Sequence, residues 1–99
     1  MNFQWDERKN RLNHSGHGVT FEFASRVFQD DLCLIYKDRI DEETGEVRWH
    51  ALGSIGHLAI YLVVHVCREQ DNGEEIIRII SARRAEKNEV RRYLEQTSY

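Results

Sequence analysis

The stretch that decides the fold is Glu75–Tyr93, which reads EIIRIISARRAEKNEVRRY. It begins with a run of isoleucines interrupted by Arg78, and β-branched residues suit a pleated, buried strand better than a helix. From Ser81 onward the residues become polar and take helical spacing. We therefore predict a central strand that delivers the charged segment Ser81–Arg84 to the edge of a sheet, followed by a C-terminal helix.

The same stretch concentrates positive charge. Residues 78–93 contain six cationic side chains against two carboxylates, a balance of +4, whereas residues 18–77 carry −7 and the whole chain carries −3. An acidic protein that gathers its cations in one rigid corner is suited to holding a polyanion there. The acidic middle would instead repel nucleic acid and attract a basic partner.

The composition is that of one globular domain, spanning residues 1–99. Hydrophobic residues make up 40% of the chain and charged residues 31%, and proline is absent. The longest apolar run, Leu58–Val64, has the length of a strand rather than of a membrane span, and the charged start of the chain is not a signal peptide. We therefore expect a cytoplasmic protein without membrane contact. Cys33 and Cys67 are 34 residues apart, which favours two buried free thiols over a disulfide or a metal site.

Two helices are predicted near the start of the chain. Asp6 is a suitable N-cap for a helix from about residue 7 to residue 14 or 15, which Gly16 and Gly18 would end. Thr20 caps a second helix with an apolar face.

Three further strands are predicted between these helices and the isoleucine run. Leu32–Tyr36 is short and apolar, the segment from Glu46 alternates most clearly between polar and apolar residues, and His57–Cys67 is apolar on both faces. Asp71–Gly73 is a strong hairpin signal before the last strand. The predicted fold is α+β: two N-terminal helices, a four-stranded, mostly antiparallel sheet and a C-terminal helix.

Several polar residues are candidates for chemistry. Glu46, Arg48 and His50 share one face of a strand and offer a general base, an anion clamp and an acid, although a solvated face is the usual origin of such alternation. Arg78 lies among isoleucines, where a charge needs either a carboxylate on a neighbouring strand or a phosphate in a cleft. Arg83 is well placed to bind phosphate near a helix start. For Arg84, a solvated position at the start of a basic helix is as good an interpretation as phosphate binding.

The histidines do not predict a metal site. His14 and His17 are three residues apart, but no third ligand stands at a suitable spacing. His17, between two glycines, is either a helix C-terminal histidine favoured by the dipole or an acid–base group that titrates near neutrality. His57 is interpreted as a strand end and His65 as a satisfied histidine beside Tyr61.

Three segments taken together are more specific than any of their parts. They are Trp5-Asp6-x-x-Lys9-x-x-x-Asn13-x-x-x-His17-Gly18-Val19-Thr20-Phe21, Glu46-x-Arg48, and Arg78-Ile79-Ile80-Ser81-Ala82-Arg83-Arg84-Ala85 with Glu89 and Tyr93. In this order they resemble the BrnT family, toxins of bacterial type II toxin–antitoxin pairs. One position departs: the family commonly has lysine before the His-Gly pair, where this chain has Gly16, so a cationic RNA contact is either missing or replaced by His14.

The resemblance implies a RelE-like microbial ribonuclease fold and an endoribonuclease that cleaves RNA without a metal or other cofactor and so inhibits translation. It also implies a BrnA-like antitoxin as the neutralising partner. In such a pair the antitoxin carries the DNA-binding module, so the toxin reaches operator DNA only through it, and the two proteins form a heterotetramer.

Metal-free RNA cleavage needs the 2′-hydroxyl deprotonated, the leaving 5′-oxygen protonated and the charge on the phosphate neutralised. We assign His17 or Glu46 as the proton carrier and Arg48 and Arg83 as the phosphate clamp, since a guanidinium fork matches two phosphate oxygens. The substrate-binding candidates are Lys9, Arg78, Arg84 and Tyr93, of which Tyr93 either stacks on a base or packs the last helix.

Two other interpretations remain open. The first is a binding module that holds RNA or an acidic protein without cutting it. The second is a structural subunit that joins a basic partner through its acidic middle. The nuclease hypothesis requires the guanidinium groups of Arg48 and Arg83 to meet around one phosphate-sized hollow, with an imidazole or a carboxylate nearby. It fails if the two arginines lie on opposite sides of the sheet without a shared concavity. Ribosome dependence, base preference and the effect of Gly16 are not set by the sequence.

Overall fold

The isoleucine-rich stretch forms an inner strand of a five-stranded sheet. The computed structural model describes residues 1–57 and 59–96, so Leu58 of the predicted third strand and the last three residues of the predicted domain lie outside the described residues. In chain order the elements are β1 (Asn2–Gln4), α1 (Glu7–His17), α2 (Phe21–Ala24), a 3₁₀ helix (Ser25–Gln29), β2 (Leu34–Ile40), β3 (Val47–Ile55), β4 (Ala59–Glu69), β5 (Glu75–Arg84) and α3 (Lys87–Glu95).

The sheet has one strand more than predicted. Its order is β1-β5-β4-β3-β2, and the four strands from β2 to β5 form the expected antiparallel meander. The additional strand, β1, runs parallel to β5, with Gln4 opposite Arg78. Three residues are too few to show a period, and the partner strand lies far away in the sequence, so the prediction of four strands was wrong at this edge.

The N-terminal helices also differ from the prediction in detail. Asp6 caps α1 as expected, because its carboxylate accepts hydrogen bonds from the backbone N–H groups of the first turn. The helix continues through Gly16 to His17, and Gly18, with φ 74°, takes the left-handed conformation that ends it. The predicted second helix is only one turn of α-helix, capped by Thr20, before it tightens into the 3₁₀ helix.

Gly53 lies within β3. A Cβ atom at this position would stand 2.7 Å from Val27 Cγ1 and 2.8 Å from the Val27 carbonyl oxygen. Glycine is therefore what allows the 3₁₀ helix to lie directly on the sheet. Of the two cysteines, both free, Cys33 is partly buried whereas Cys67 is exposed, which corrects the expectation of two buried thiols.

The two faces of the sheet are covered differently. α1, α2 and the 3₁₀ helix cover the first face, where Phe21 and Val27 pack against Val63 and Ile79. On the second face α3 covers one end, where Tyr93 packs against strand residues of β3 and β4. The rest of that face is here called the open face. Its residues are Tyr36, Arg39, Glu46, Arg48, His50, Val64, Val66, Arg68, Arg78, Ser81 and Arg83.

Asn13 fastens α1 to the edge of β5 beyond the end of β1. Its side-chain amide donates to the carbonyl oxygens of Val19 (2.8 Å) and Ala82 (2.9 Å), and its carbonyl oxygen accepts from the Ala82 N–H (3.0 Å). The side chain thus makes the two hydrogen bonds to Ala82 that a neighbouring strand would make.

Within the described residues, no helix has both the length and the apolar character needed to cross a membrane.

Candidate active site

Arg48 and Arg83 lie on the same side of the sheet. Arg83 is opposite Leu62, Leu62 is opposite Leu52, and Arg48 is four residues from Leu52 along β3, so all share one face. The two arginines are displaced by about 13 Å along the strand direction. Arg48 and Arg83 therefore share one side of the sheet, with His50 between their two levels. That their guanidinium groups converge on one hollow stays a prediction.

Arg83 is held by Glu89 from the first turn of α3. Its Nη1 and Nη2 donate to the two oxygens of that carboxylate at 2.8 and 3.0 Å. Burial alone would raise the pKa of Glu89, but hydrogen bonds from Arg83 and from the Glu86 N–H lower it overall. The pair fixes the orientation of a permanently charged guanidinium at the end of β5.

An aromatic and cationic cluster connects Arg83 to His50. The rings of Tyr36 and His50 meet edge to face, with their centroids 5.2 Å apart. The Arg92 guanidinium carbon lies 3.7 Å from the centroid of Tyr36. Burial, followed by the nearby Glu89 carboxylate, raises the pKa of the Tyr36 phenol. The cluster is therefore built from β2, β3 and α3.

His50 and Arg48 each carry an atom without a partner. His50 Nε2 is 3.3 Å from the Asp38 carboxylate, and Arg48 Nη2 is 2.7 Å from that of Asp41. In contrast, His50 Nδ1 and Arg48 Nε are buried and have no hydrogen-bond partner among the described residues. A buried unsatisfied polar group costs about 1–3 kcal/mol, so two of them side by side on β3 indicate a site that a ligand or water completes.

Glu46 is tied to Arg68 on the open face. Arg68 Nε and Nη2 donate to the two carboxylate oxygens, both at 2.9 Å. These hydrogen bonds are the largest cause of the lowered pKa of Glu46. Glu46 is therefore an ionised, engaged carboxylate.

Arg78 has a neutral partner rather than a carboxylate in hydrogen-bonding contact. Its Nη1 donates to Gln4 Oε1 on β1 at 3.2 Å. It attracts the carboxylates of Asp6 and Glu46 from a longer range. Among the described residues Arg78 therefore has no direct carboxylate pair, and a phosphate partner stays a prediction.

Residues 5–89 match the family described as the ribonuclease toxin, BrnT, of type II toxin–antitoxin systems. The chain belongs to the BrnT family. The 1.1 Å crystal structure of the Brucella abortus ribonuclease toxin BrnT is similar to it, with a TM-score of 0.64, 27% sequence identity and coverage of 88% of this chain and 99% of that chain. No protein of curated function matches the chain. The resemblance predicted from the signature residues is confirmed.

Several BrnT signature residues are structural. Asp6 and Thr20 cap α1 and α2, and Asn13 pairs with the edge of β5. Tyr93 is 6% exposed and its hydroxyl donates to Asp30, so the structure gives it the packing role and not that of a base-stacking surface. Burial and the Asp30 carboxylate raise the pKa of Tyr93 to about 12.

The remaining candidates divide between the open face and other surfaces. Arg84 is opposite Tyr61, a residue of the helix-covered side, so it does not share the face of Arg83. His17 is exposed at the end of α1, and Lys9 is exposed near its start. The candidates that the structure collects on the open face are Glu46, Arg48, Arg78 and Arg83.

Sequence reasoning missed several members of this BrnT site. Tyr36 was placed at the end of a strand and Asp38 outside it, because the strand predicted over Leu32–Tyr36 stopped four residues before the end of β2. Arg92 was counted only as part of the cationic balance. Its spacing of three residues from Glu89 puts both on one side of α3, which is the signal that would have connected them.

The described part of the chain contains no group of three or more His, Cys, Asp or Glu residues arranged to hold a metal ion.

Proposed function

We propose that this BrnT-family toxin is an endoribonuclease that cuts RNA on the open face by metal-independent acid–base chemistry and thereby inhibits translation. The observation that carries the proposal is the pair of buried, unpartnered nitrogens, Arg48 Nε and His50 Nδ1, on the same face as Arg83. One is a donor that suits a phosphate oxygen, and the other is a ring nitrogen able to exchange a proton.

The reaction uses the substrate's own nucleophile. His50 in its neutral form accepts the proton of the 2′-hydroxyl, the 2′-oxygen bonds to phosphorus, and the bond from phosphorus to the 5′-oxygen breaks. The leaving oxygen takes a proton from water, and the products are a 2′,3′-cyclic phosphate and a 5′-hydroxyl. Arg48 and Arg83 stabilise the negative charge that develops on the phosphate oxygens.

His50 is a better proton carrier than either residue assigned from the sequence. Glu46 is engaged by Arg68 and its pKa is lowered, which weakens it as a base. His17 is on α1 and not on the open face. His50 has an orienting partner, because Asp38 lies 3.3 Å from Nε2 and favours a ring with its free lone pair on Nδ1.

The antitoxin partner of this type II toxin is proposed to be BrnA-like and to join it in a heterotetramer that reaches operator DNA through the antitoxin. The acidic middle of the chain supports a basic partner, since residues 18–77 carry −7. Asp38 and Asp41 place part of this charge beside His50 and Arg48. A basic segment bound there would cover the site, and neutralisation would take place where the cytoplasmic toxin meets its RNA.

The test is cleavage of purified total RNA in EDTA by the wild-type protein and by His50→Gln. Loss of an acid–base group typically lowers the rate by about 10²–10⁴-fold. His57→Gln, in the exposed turn after β3, is the matched control and should retain the wild-type rate. Intact RNA with a gel shift would favour the binding-only module instead, and full activity of folded His50→Gln would refute the proton-carrier role.

Arg83 needs a different variant, because its removal leaves the Glu89 carboxylate, whose side chain is 12% exposed, without its partner. The double variant Arg83→Gln/Glu89→Gln replaces the ion pair by two amides and separates catalysis from stability. We expect it to lose growth arrest in cells while unfolding near the wild-type temperature. Full toxicity of this variant would show that Arg83 does not clamp the phosphate.

A further inference from the structure

Three arginines lie in one row across the open face. Arg78 on β5 is opposite Val66 on β4, and Arg48 on β3 is opposite Arg39 on β2. The register that pairs Trp49 with His65 brings Arg48, the preceding residue, to the level of Val66. The row therefore crosses the strands at right angles to their direction.

The row is spaced by the geometry of the sheet. Neighbouring strands are about 4.8 Å apart, so the Cα atoms of Arg78 and Arg48 are separated by about 10 Å and those of Arg48 and Arg39 by about 5 Å. Val66, between the first two, is only 3% exposed although it lies beyond the end of the face that α3 covers. The aliphatic stems of long arginine side chains can cover such a residue and keep the guanidinium groups at the surface.

Among the residues that the structure describes, neither end of the row is closed by a strong ion pair. Arg78 donates to the neutral amide of Gln4, and Arg39, with its side chain 66% exposed, lies 4.0 Å from Asp38. The central Arg48 is the one with a close carboxylate, from Asp41 at 2.7 Å. A cleft of about 500 Å³ opens beside this end of the row, and it is lined by Arg39 and Arg48 together with the hairpin carboxylates Asp41, Glu42 and Glu43.

We propose that the row is the path of a single RNA strand, which crosses the β-strands from Arg78 through Arg48 to Arg39 with its phosphates on the three guanidinium groups. This inference rests on the proposed ribonuclease function and extends it to flanking nucleotides. One line of cations matches one phosphate backbone, whereas a duplex presents two. The path passes next to His50, so the phosphate bound at Arg48 lies beside the proton carrier. The two ends of the row bind the neighbouring phosphates of the same strand.

The test measures binding of a non-cleavable 2′-O-methyl RNA of roughly 12 nucleotides over a range of salt concentrations. For single strands each phosphate contact contributes a slope of about −0.7 to the plot of log affinity against log salt. Arg78→Gln and Arg39→Gln should each reduce the slope by about 0.7, and the double variant by about twice that. Arg26→Gln removes the same charge on the helix-covered side, where Arg26 lies over the ring of Phe23, and should leave the slope unchanged.

Cleavage kinetics provide the second readout. Both row variants should raise KM for a long RNA more than KM for a dinucleotide, because a dinucleotide does not reach the ends of the row. If Arg78→Gln and Arg39→Gln both show the same salt dependence of RNA affinity as Arg26→Gln, the path is overturned while the nuclease function is left intact. Failure of the wild-type protein to bind or cleave RNA would overturn the proposed function and the path together. A duplex that binds with a steeper slope than the single strand would also overturn the single-strand path.

Discussion

Replacing Asn13 by aspartate tests how α1 is attached to the sheet. The Asn13 side chain is 8% exposed and makes three hydrogen bonds, two as donor to carbonyl oxygens and one as acceptor. Aspartate has the same shape and keeps the acceptor for the Ala82 N–H. It loses both donors, however, and places a carboxylate oxygen against the carbonyl oxygens of Val19 and Ala82.

The expected loss of stability follows from these contacts. Two hydrogen bonds are lost, each with a net contribution of about 1 kcal/mol, and the buried carbonyls left without a donor add a penalty, so we expect Asn13→Asp to lower the free energy of unfolding by about 3 kcal/mol at pH 7. Burial and the two carbonyls raise the pKa of the new carboxyl. The folded state then binds the proton more tightly than the unfolded state, so the deficit shrinks as the pH falls towards about 4.

Urea unfolding followed by tryptophan fluorescence measures this difference. Asn72→Asp is the control, because Asn72 is exposed and its side chain accepts a hydrogen bond from the Glu74 N–H that a carboxylate also accepts. The reasoning is refuted if Asn13→Asp lies within about 0.5 kcal/mol of this control at pH 7. A deficit that does not change with pH would refute the account of the carboxylate.

Four other substitutions test stability, three of them in the core and one at the exposed Gly16. Burial lowers the pKa of His65 to about 4. As the pH falls, the unfolded state therefore takes up the proton first, and the free energy of unfolding drops by up to about 3 kcal/mol between pH 6.5 and pH 4. Urea unfolding of His65→Leu should show a free energy of unfolding that depends less on pH. Tyr93→Phe removes the hydrogen bond to Asp30 and should cost about 1–2 kcal/mol while ribonuclease assays show an unchanged rate. Gly53→Ala, whose Cβ meets backbone at 2.8 Å, should lower stability by about 2 kcal/mol. Gly16→Ala, with nothing within 4 Å of its Cβ, should raise stability by about 0.5–1 kcal/mol, and thermal denaturation distinguishes the two alanine variants.

The periodic parts of the fold were predictable from residue pattern. The alternation after Glu46 correctly put Arg48 and His50 on the face opposite Trp49 and Ala51, because side chains in a strand alternate between faces. The end of α1 was not predictable in the same way. Glycine at Gly16 costs only about 1 kcal/mol within a helix, and the tertiary contacts of α1 outweigh that cost.

The candidate site was predictable where it lies on strands and less so where it depends on loops. Arg48 and Arg83 follow from strand periodicity and the hairpin register. Their partners, Asp41 in the β2–β3 hairpin and Glu89 on α3, depend on how a turn and a helix are placed, which local patterns do not specify. The same holds for Tyr93, whose packing against Asp30 depends on a contact between residues 63 positions apart.

The parallel pairing of β1 with β5 has a consequence for synthesis of the toxin. Gln4 meets Arg78 across 74 positions, and Asn13 meets Ala82 across 69. During translation, the edge of the sheet therefore stays open until β5 has emerged, and long-range pairing of this kind is slow to form. Arg83 lies near the end of β5, and the helix that orients it, α3, is made after it. The open face is thus completed only after both β5 and α3 have been made.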